Sequence, residues 1–548
     1  MKEVMKRAWS GGIMLLFFIA AATLAVAQEL PAVKQARQQM EIEQTNKAVA
    51  TLTEAVKANP ADASLLYYLG LAQIANGEKE KAEISFQKGL EVNPKEALNL
   101  AGKGYLRMLE NNVTEAKTQL DQALAQTKSK NASVLKAVAT AYLANDKFTN
   151  DALTLLQKAK SINSSDYETF ILLGDTYTKL VKGGDAVSAF ETASSLDPKN
   201  GTPQYKIGVV YQRSKNLGSA EEHFKNAIAA DPNYALAYKE LGELYYNQKK
   251  AADAVKAYEK YLSLTERPEP AKLRYAFFLF MAKDYKKANT VFEELSKRAD
   301  VSATVYKYYA YSLVESGELA KSEQIFDLYF AKAPQSEIQA SDYVYVAKMY
   351  QKQAKDSLAI LNFKKSLTLE KNADIAQTVA ETYYKQKKYP EAIDAYKELR
   401  GIKTKLSSQE LLALGRSYYF AKKFNEADTT FGQLSEAQPT YTTGFAWRAR
   451  SVANLDPDLK LGLAKPYFDK VVEIAEANPD KSKTKPDLID AYSYLGYYYD
   501  TKGDFKTAKE IFEKLKAIDP TNEKAIAYLD AIKKAQQQQK KPKPQGSR

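Results

Sequence analysis

The amino-acid sequence predicts an all-α fold in which short helix pairs stack into a solenoid. Three regularities lead to this prediction. A small residue returns about every 34 positions, an apolar residue follows each of these four positions later, and prolines recur between the repeats. A period of this length is typical of a helix–turn–helix unit. Because one such unit cannot bury its apolar face alone, its copies are expected to stack on one another.

The body of the chain repeats this pattern in fourteen registers. The recurring small residues are Ala48, Ala82, Ala116, Ala152, Ala186, Ala220, Ala254, Ala288, Ser322, Ala359, Ala392, Ala427, Ala464 and Ala508. The apolar residues four positions later are Leu52, Phe86, Leu120, Leu156, Phe190, Phe224, Tyr258, Phe292, Phe326, Phe363, Tyr396, Phe431, Phe468 and Phe512. Each pair lies one turn apart on the same helix face. We interpret the small residue as the point where two helices approach, and the larger one as the group that fills the remaining space.

The repeat resembles the tetratricopeptide repeat, whose consensus is W-x2-L-G-x2-Y, then A-x3-F, then a proline. One unit that matches it contains Phe170, Leu173, Gly174, Tyr177, Ala186, Phe190 and Pro198. Another contains Tyr492, Leu495, Gly496, Tyr499, Ala508, Phe512 and Pro520. The resemblance implies a right-handed superhelix of about 14 repeats over residues 28–521.

The two ends of the chain are predicted to lie outside the repeats. Residues 1–27 have the basic start, apolar run and small-x-small ending of a signal peptide, with cleavage after Ala27. An uncleaved membrane anchor is the alternative, although the apolar run is shorter than the roughly 20 residues of a spanning helix. Residues 522–538 are predicted to form a C-terminal capping helix, and residues 539–548 a disordered basic tail.

The composition argues against catalysis. The chain has no cysteine and one histidine, His223, which excludes thiol nucleophiles, thiolate sites and multi-histidine metal centres. No catalytic motif is visible, so we expect no enzyme, no catalytic or metal-binding residue and no cofactor. Of the net charge of +12, residues 1–7 carry +2 and the last thirteen residues carry +4, while the remaining +6 is spread over finely mixed Lys and Glu, so no nucleic-acid partner is expected.

The resemblance also implies a binding surface. In the family, the first helix of each repeat lines the inner, concave wall with places 2, 5, 9, 12 and 13. On this chain these places give Tyr67, Tyr205, Arg213, Tyr246, Phe277, Tyr311, Tyr384, Arg416, Tyr419, Phe420 and Tyr497. Tyrosine and arginine are favoured where proteins bind one another, since each offers apolar area with a polar end. Incidental surface or core packing is the competing interpretation for each of them.

Two functions follow from these observations as hypotheses. The first is a non-enzymatic scaffold, exported to a bacterial periplasm or the periplasmic face of the outer membrane, that binds peptides or helices of envelope, secretion or surface-assembly proteins. Membrane association would then come only through partners or an uncleaved signal anchor. The second is a protein that binds peptidoglycan or exported polysaccharide through its groove tyrosines. The sequence leaves open the oligomeric state and whether the concave or the convex face is used.

Overall fold

The computed structural model describes residues 30–266, 268–480 and 482–539, and every regular element in these ranges is a helix. The predicted signal peptide lies outside the described residues, as does the predicted basic tail apart from its first residue. Contacts divide the chain into two units, which meet in sequence at Val301 and Ser302. Among the described helices, none is both long and apolar enough to cross a membrane.

The first unit contains eight helix pairs. They are α1 (Pro31–Glu41), α2 (Thr45–Ala58), α3 (Ala63–Ala75), α4 (Lys79–Val92), α5 (Ala97–Leu109), α6 (Val113–Gln126), α7 (Ala132–Leu143), α8 (Thr149–Ile162), α9 (Tyr167–Lys179), α10 (Gly183–Leu196), α11 (Thr202–Arg213), α12 (Leu217–Ala230), α13 (Ala235–Asn247), α14 (Ala251–Leu264), α15 (Glu269–Met281) and α16 (Tyr285–Ser296). A single 3₁₀ turn, Asp146–Phe148, precedes α8.

The second unit contains six helix pairs and one further helix. They are α17 (Ala303–Ser316), α18 (Leu319–Lys332), α19 (Ala340–Lys352), α20 (Asp356–Leu369), α21 (Ala373–Lys385), α22 (Tyr389–Ile402), α23 (Ser408–Phe420), α24 (Phe424–Ala437), α25 (Thr442–Ala453), α26 (Lys465–Ala477), α27 (Lys485–Thr501), α28 (Phe505–Ile518) and α29 (Glu523–Gln539). A 3₁₀ turn, Gln335–Glu337, precedes α19. The segment predicted to form the capping helix lies in α29. The predicted all-α solenoid of stacked helix pairs is confirmed.

The recurring small and apolar residues form the core of both units. All fourteen small residues are at most 1% exposed, and all fourteen apolar residues four positions later are at most 3% exposed. The glycine of the first helix explains why the partner position is aromatic. A Cβ atom built on Gly174 would stand 2.3 Å from the ring of Phe190, so the ring occupies the volume that the missing side chain leaves.

A left-handed residue ends the first helix of most pairs. In α23 the residue is Lys422, with φ of 58°, and its N–H donates to the carbonyl of Tyr419 at 3.0 Å. The next N–H, of Lys423, donates to the carbonyl of Tyr418 at 2.9 Å, which satisfies another free carbonyl of the last turn. Lysine stands at this left-handed position in five turns, at Lys215, Lys249, Lys283, Lys387 and Lys422.

In the first unit, the first helix pair also contacts repeats far along the chain. The Nζ of Lys34 lies 3.1 Å from the carboxylate of Asp197. The carboxylate of Glu41 accepts hydrogen bonds from Asn200 and Thr202, at 3.2 and 2.9 Å. At the start of α2, backbone N–H groups donate to the carboxylate of Glu266, at 3.0 and 3.3 Å. A solenoid model in which each repeat contacts only its immediate neighbours does not predict these contacts.

Candidate binding surface

Two of the eleven predicted surface residues are buried. Tyr67 is 5% exposed and lies edge-on against Tyr68, with ring centroids 5.1 Å apart. Tyr311 is 4% exposed and stacks on Tyr345, with centroids 3.7 Å apart. Burial also raises the pKa of both phenols above the usual value. Because both rings are buried, a partner protein cannot contact them. We therefore remove Tyr67 and Tyr311 from the candidate binding surface.

Tyr311 instead belongs to a buried polar cluster around Asp342, at the start of α19. The hydroxyl of Tyr311 donates to one carboxylate oxygen of Asp342, and that of Tyr329 donates to the other at 2.7 Å. The Nζ of Lys307 lies 2.9 Å from the same carboxylate, which also accepts the backbone N–H of Gln339 at 2.6 Å. These partners satisfy the hydrogen-bonding capacity of a carboxylate that is 0% exposed. The cluster therefore stabilises the start of α19 and does not form a ligand site.

In the first unit, the remaining predicted aromatic residues pack against rings of their own repeat or of the next one. Tyr205 contacts Tyr234, with centroids 5.3 Å apart, and Phe277 contacts Phe292 at 6.2 Å. Tyr246 stacks on a neighbouring ring, and a guanidinium group lies 4.4 Å from its centroid. That guanidinium, from Arg274, is bound to the carboxylate of Glu243 by two of its nitrogens.

Two further predicted residues stand apart from any aromatic cluster at the surface. Arg213 is exposed at the end of α11. Tyr497 of α27 is 36% exposed, and one edge of its ring meets the core residue Phe512. Arg213 lies near enough to Tyr205 for its charge to act on that phenol, and the ring contact of Tyr497 is with the core rather than with another predicted surface residue.

The second unit gathers four predicted residues into one surface. Arg416, Tyr419 and Phe420 lie three and four positions apart and so share one face of α23. Phe420, which is 45% exposed, stacks on Tyr389 with centroids 5.0 Å apart, and Tyr389 in turn meets Tyr384 at 6.3 Å. On the other side, Tyr419 and Phe420 both contact Trp447, at 5.3 and 6.1 Å. We call Tyr384, Tyr389, Tyr419, Phe420 and Trp447 the aromatic ladder.

Sequence analysis missed Tyr389 and Trp447. Tyr389 is the first residue of α22, three positions before the recurring Ala392. An aromatic residue stands at this same place at Tyr285, Phe424 and Phe505, which is a signal that the sequence does carry. In three pairs this residue contacts the last turn of the preceding helix: Phe280–Tyr285, Tyr384–Tyr389 and Tyr419–Phe424. Trp447 has no such recurrence and could not have been found from the repeat.

Arg416 is the cation of this surface. Its guanidinium lies 4.7 Å from the ring centroid of Trp447, and that of Arg450 lies 4.9 Å from the same centroid. Arg450 is neutralised by Asp487 and Asp490, at 2.9 and 2.6 Å. Within the described part of the second unit, no carboxylate lies within 4.0 Å of Arg416, and its buried Nε has no hydrogen-bond acceptor.

No described group resembles a metal centre. Across residues 30–266, 268–480 and 482–539, no three side chains of His, Asp or Glu lie together so as to hold an ion. The Nδ1 atom of His223 is 2.9 Å from Oε1 of Gln204, and its ring stacks on Tyr211 at 5.3 Å. Burial lowers the pKa of His223, which keeps the ring neutral at physiological pH. His223, on α12, therefore packs against α11.

Comparisons with known proteins identify the repeat. One sequence profile of the tetratricopeptide repeat matches residues 33–97 and 205–269, and a second matches residues 489–522. No curated protein sequence matches the chain.

Several solved structures are similar. The C-terminal part of a TPR repeat-containing protein from Cytophaga hutchinsonii is 32% identical, covering 47% of this chain and 98% of that one, with a TM-score of 0.36. A tetratricopeptide repeat protein from Parabacteroides merdae is 20% identical over 46% of this chain and 98% of its own, with a TM-score of 0.30. The pilF protein of Pseudomonas aeruginosa is 20% identical over 40% and 96%, also with a TM-score of 0.30. Because repeat profiles match residues 33–97, 205–269 and 489–522, the chain contains tetratricopeptide repeats at these three places.

Proposed function

We propose that the protein is a non-enzymatic scaffold of the bacterial cell envelope, which binds a segment of a partner protein on the aromatic ladder. Tetratricopeptide repeats generally act as non-catalytic scaffolds that bind other proteins. The observation that carries the proposal is the ladder itself. It places partly exposed rings beside an arginine without a carboxylate partner among the described residues, on helices that pack against those of the adjacent repeats.

The composition of the ladder suits protein binding. Tyrosine, tryptophan and arginine are the residues that most often dominate binding energy at interfaces. Their rings bring large apolar area with few rotatable bonds, so little conformational entropy is lost when a partner covers them. Stacking between repeats fixes the rings further before binding, which lowers the ordering cost of association.

A binding selection tests this function. The full mature chain is immobilised and offered a displayed library of random peptides, and the selected peptides are measured against variants by fluorescence anisotropy. Tyr389→Ala/Phe420→Ala removes two rungs of the ladder and is expected to weaken binding by about tenfold or more. The matched control is Tyr441→Ala/Phe505→Ala, which removes two exposed rings (62% and 63%) outside the ladder.

Two results would overturn this proposal. Failure to select any peptide is one. Equal binding by the ladder variant and the control is the other, because the rings would then be incidental surface.

Co-sedimentation with purified peptidoglycan sacculi at low salt tests the alternative that the protein binds a glycan. Retention that depends on the same two rings would assign the ladder to a sugar ligand instead.

The envelope location is part of the proposal and rests on the N-terminal segment. A basic start, an apolar run and small residues before Gln28 favour export with cleavage after Ala27. Fractionation of the native host followed by mass spectrometry of the mature N-terminus checks this point. The expected species begins at Gln28 and is found outside the cytoplasm. An intact Met1 on cytoplasmic protein would contradict export and leave the binding proposal standing.

A further inference from the structure

The aromatic ladder lies beside a concentration of positive charge. Residues 381–391 and 416–426 run through the two helix turns at its edge, and together they hold six cations and three carboxylates. The cations are Lys385, Lys387, Lys388, Arg416, Lys422 and Lys423. All five lysines are exposed, and none of them has a carboxylate within 4.0 Å among the described residues.

The three carboxylates of these segments do not neutralise the arginine. Glu381 lies on α21 and accepts a hydrogen bond from Gln377 at 2.7 Å. Glu391 and Glu426 are in the first turns of α22 and α24, where helix N-termini favour negative charge. Asp356 of α20 also lies here and accepts a hydrogen bond from Gln386 at 3.1 Å, so the edge carries an excess of positive charge, partly offset, beside the exposed rings.

The neighbouring arginines show what Arg416 lacks. On α25, Arg448 is bound to Asp428 at 2.6 Å, and Arg450 is bound to two aspartates of α27. Both of these arginines also lie over an aromatic ring, as Arg416 does. Arg416 thus has the same ring contact without the carboxylate, and its buried Nε lacks an acceptor. The charge of Arg416 is therefore not neutralised by a carboxylate of the described residues, so a ligand carboxylate beside its guanidinium is favoured.

We propose that this surface, assuming the proposed function, binds an acidic peptide segment of the partner in which apolar side chains alternate with carboxylates. One carboxylate pairs with Arg416, an apolar side chain packs on Phe420 and Tyr389, and further carboxylates lie along the turn lysines. A partner with charge alone would leave the rings uncovered, and a purely apolar partner would leave Arg416 without an acceptor. The combination of rings and cations selects a partner that carries both groups.

The turn conformation allows charge to be removed without harming the fold. Lys387 and Lys422 both have φ of 58°, a backbone conformation that glycine adopts more easily than lysine. Lys387→Gly/Lys422→Gly therefore deletes two cations while preserving the turn. The matched control, Lys215→Gly/Lys283→Gly, makes the same change at the same turn position in the first unit, where φ is 60° and 61°.

The experiment measures fluorescent peptides on the full mature chain at several salt concentrations. The probes are repeats of Glu-Glu-Phe, Gln-Gln-Phe and Lys-Lys-Phe, together with oligoglutamate. The Glu-Glu-Phe peptide is expected to bind about tenfold more tightly than the others and to weaken as salt rises. Arg416→Gln and the Lys387/Lys422 glycine variant should each weaken it about fivefold, and the control pair should change it by less than about twofold.

Each other outcome overturns the inference in a distinct way. Equal binding of oligoglutamate would show a general polyanion surface in which the rings take no part. If the library selection described above instead returns neutral or basic peptides that depend on Tyr389 and Phe420, the proposed function stands and the acidic partner is wrong. If no peptide of any charge binds the ladder, both proposals fall. Circular dichroism melting of each variant separates loss of binding from loss of fold.

Discussion

Glu41 shows how one buried carboxyl makes the first unit sensitive to pH. Burial raises its pKa above the ordinary value of 4.5, although Arg37 and the hydrogen bonds from Asn200 and Thr202 act in the opposite direction. A carboxyl whose pKa is raised by folding favours the folded state fully below the pKa of the unfolded chain. That contribution is lost as the pH rises through the pKa of the folded state, so ionised Glu41 weakens the first unit at neutral pH.

The substitution Glu41→Gln is therefore expected to raise the melting temperature at pH 7. Its carbonyl can still accept the bonds from Asn200 and Thr202, while the cost of burying a charge disappears. The advantage should shrink on acidification and vanish below about pH 4, where Glu41 is itself neutral. Calorimetry over this pH range measures the difference. Glu54→Gln, on the exposed side of α2, is the control, and a pH-independent gain for Glu41→Gln would contradict the assignment.

At the scale of helices, the sequence was informative wherever the repeat itself decides the packing. Ala186, Phe190 and Gly174 could be assigned to the helix–helix contact because volume must be complementary where two backbones come close. The surface was less predictable. Tyr311 occupies the same kind of place as Tyr419 and Phe420, yet Asp342 on the next repeat draws its hydroxyl inward. The position of a residue in the repeat predicts which face of the helix it occupies. The side chains of the adjacent repeat then determine whether its ring is buried or exposed.

The last helix shows the same dependence on a neighbouring side chain. Tyr528 of α29 stacks on Phe512, with centroids 4.2 Å apart, and its hydroxyl donates to Asp500 at 2.7 Å. We expect Tyr528→Ala to lower the free energy of unfolding of the last repeat by about 2–3 kcal/mol, because it uncovers Phe512. Tyr528→Phe keeps the ring contact and should cost about 1 kcal/mol for the lost hydrogen bond.

Denaturant unfolding of the protein, followed by hydrogen exchange in α28, separates these two effects. The substitution Lys533→Ala changes an exposed residue of the same helix and serves as the control. If Tyr528→Phe destabilises as much as Tyr528→Ala, the hydrogen bond rather than the ring holds α29 in place. If neither variant differs from the control, α29 does not stabilise α28.

At the largest scale, the first unit departs from the behaviour expected of a repeat array. In such arrays each repeat contacts only its neighbours, so stability is a sum of local contributions. Here the first pair is bound to residues 159 and 220 positions later, through Glu41–Asn200 and Asn46–Glu266. These contacts add a direct coupling between distant repeats. A disturbance at α1 should therefore reach repeats that lie well beyond its nearest neighbours.

The double substitution Lys34→Ala/Glu266→Ala tests this coupling. It removes the ion pair to Asp197 and the carboxylate that accepts from the start of α2, each worth roughly 0.5–1 kcal/mol. Amide hydrogen exchange is expected to become about fivefold faster at residues 31–41 and also at residues 197–202, while α6 is unaffected. The control, Glu54→Ala/Lys57→Ala, breaks an ion pair inside α2. If exchange accelerates in α1 alone, these contacts do not couple the repeats, and the first unit is stabilised only by adjacent pairs.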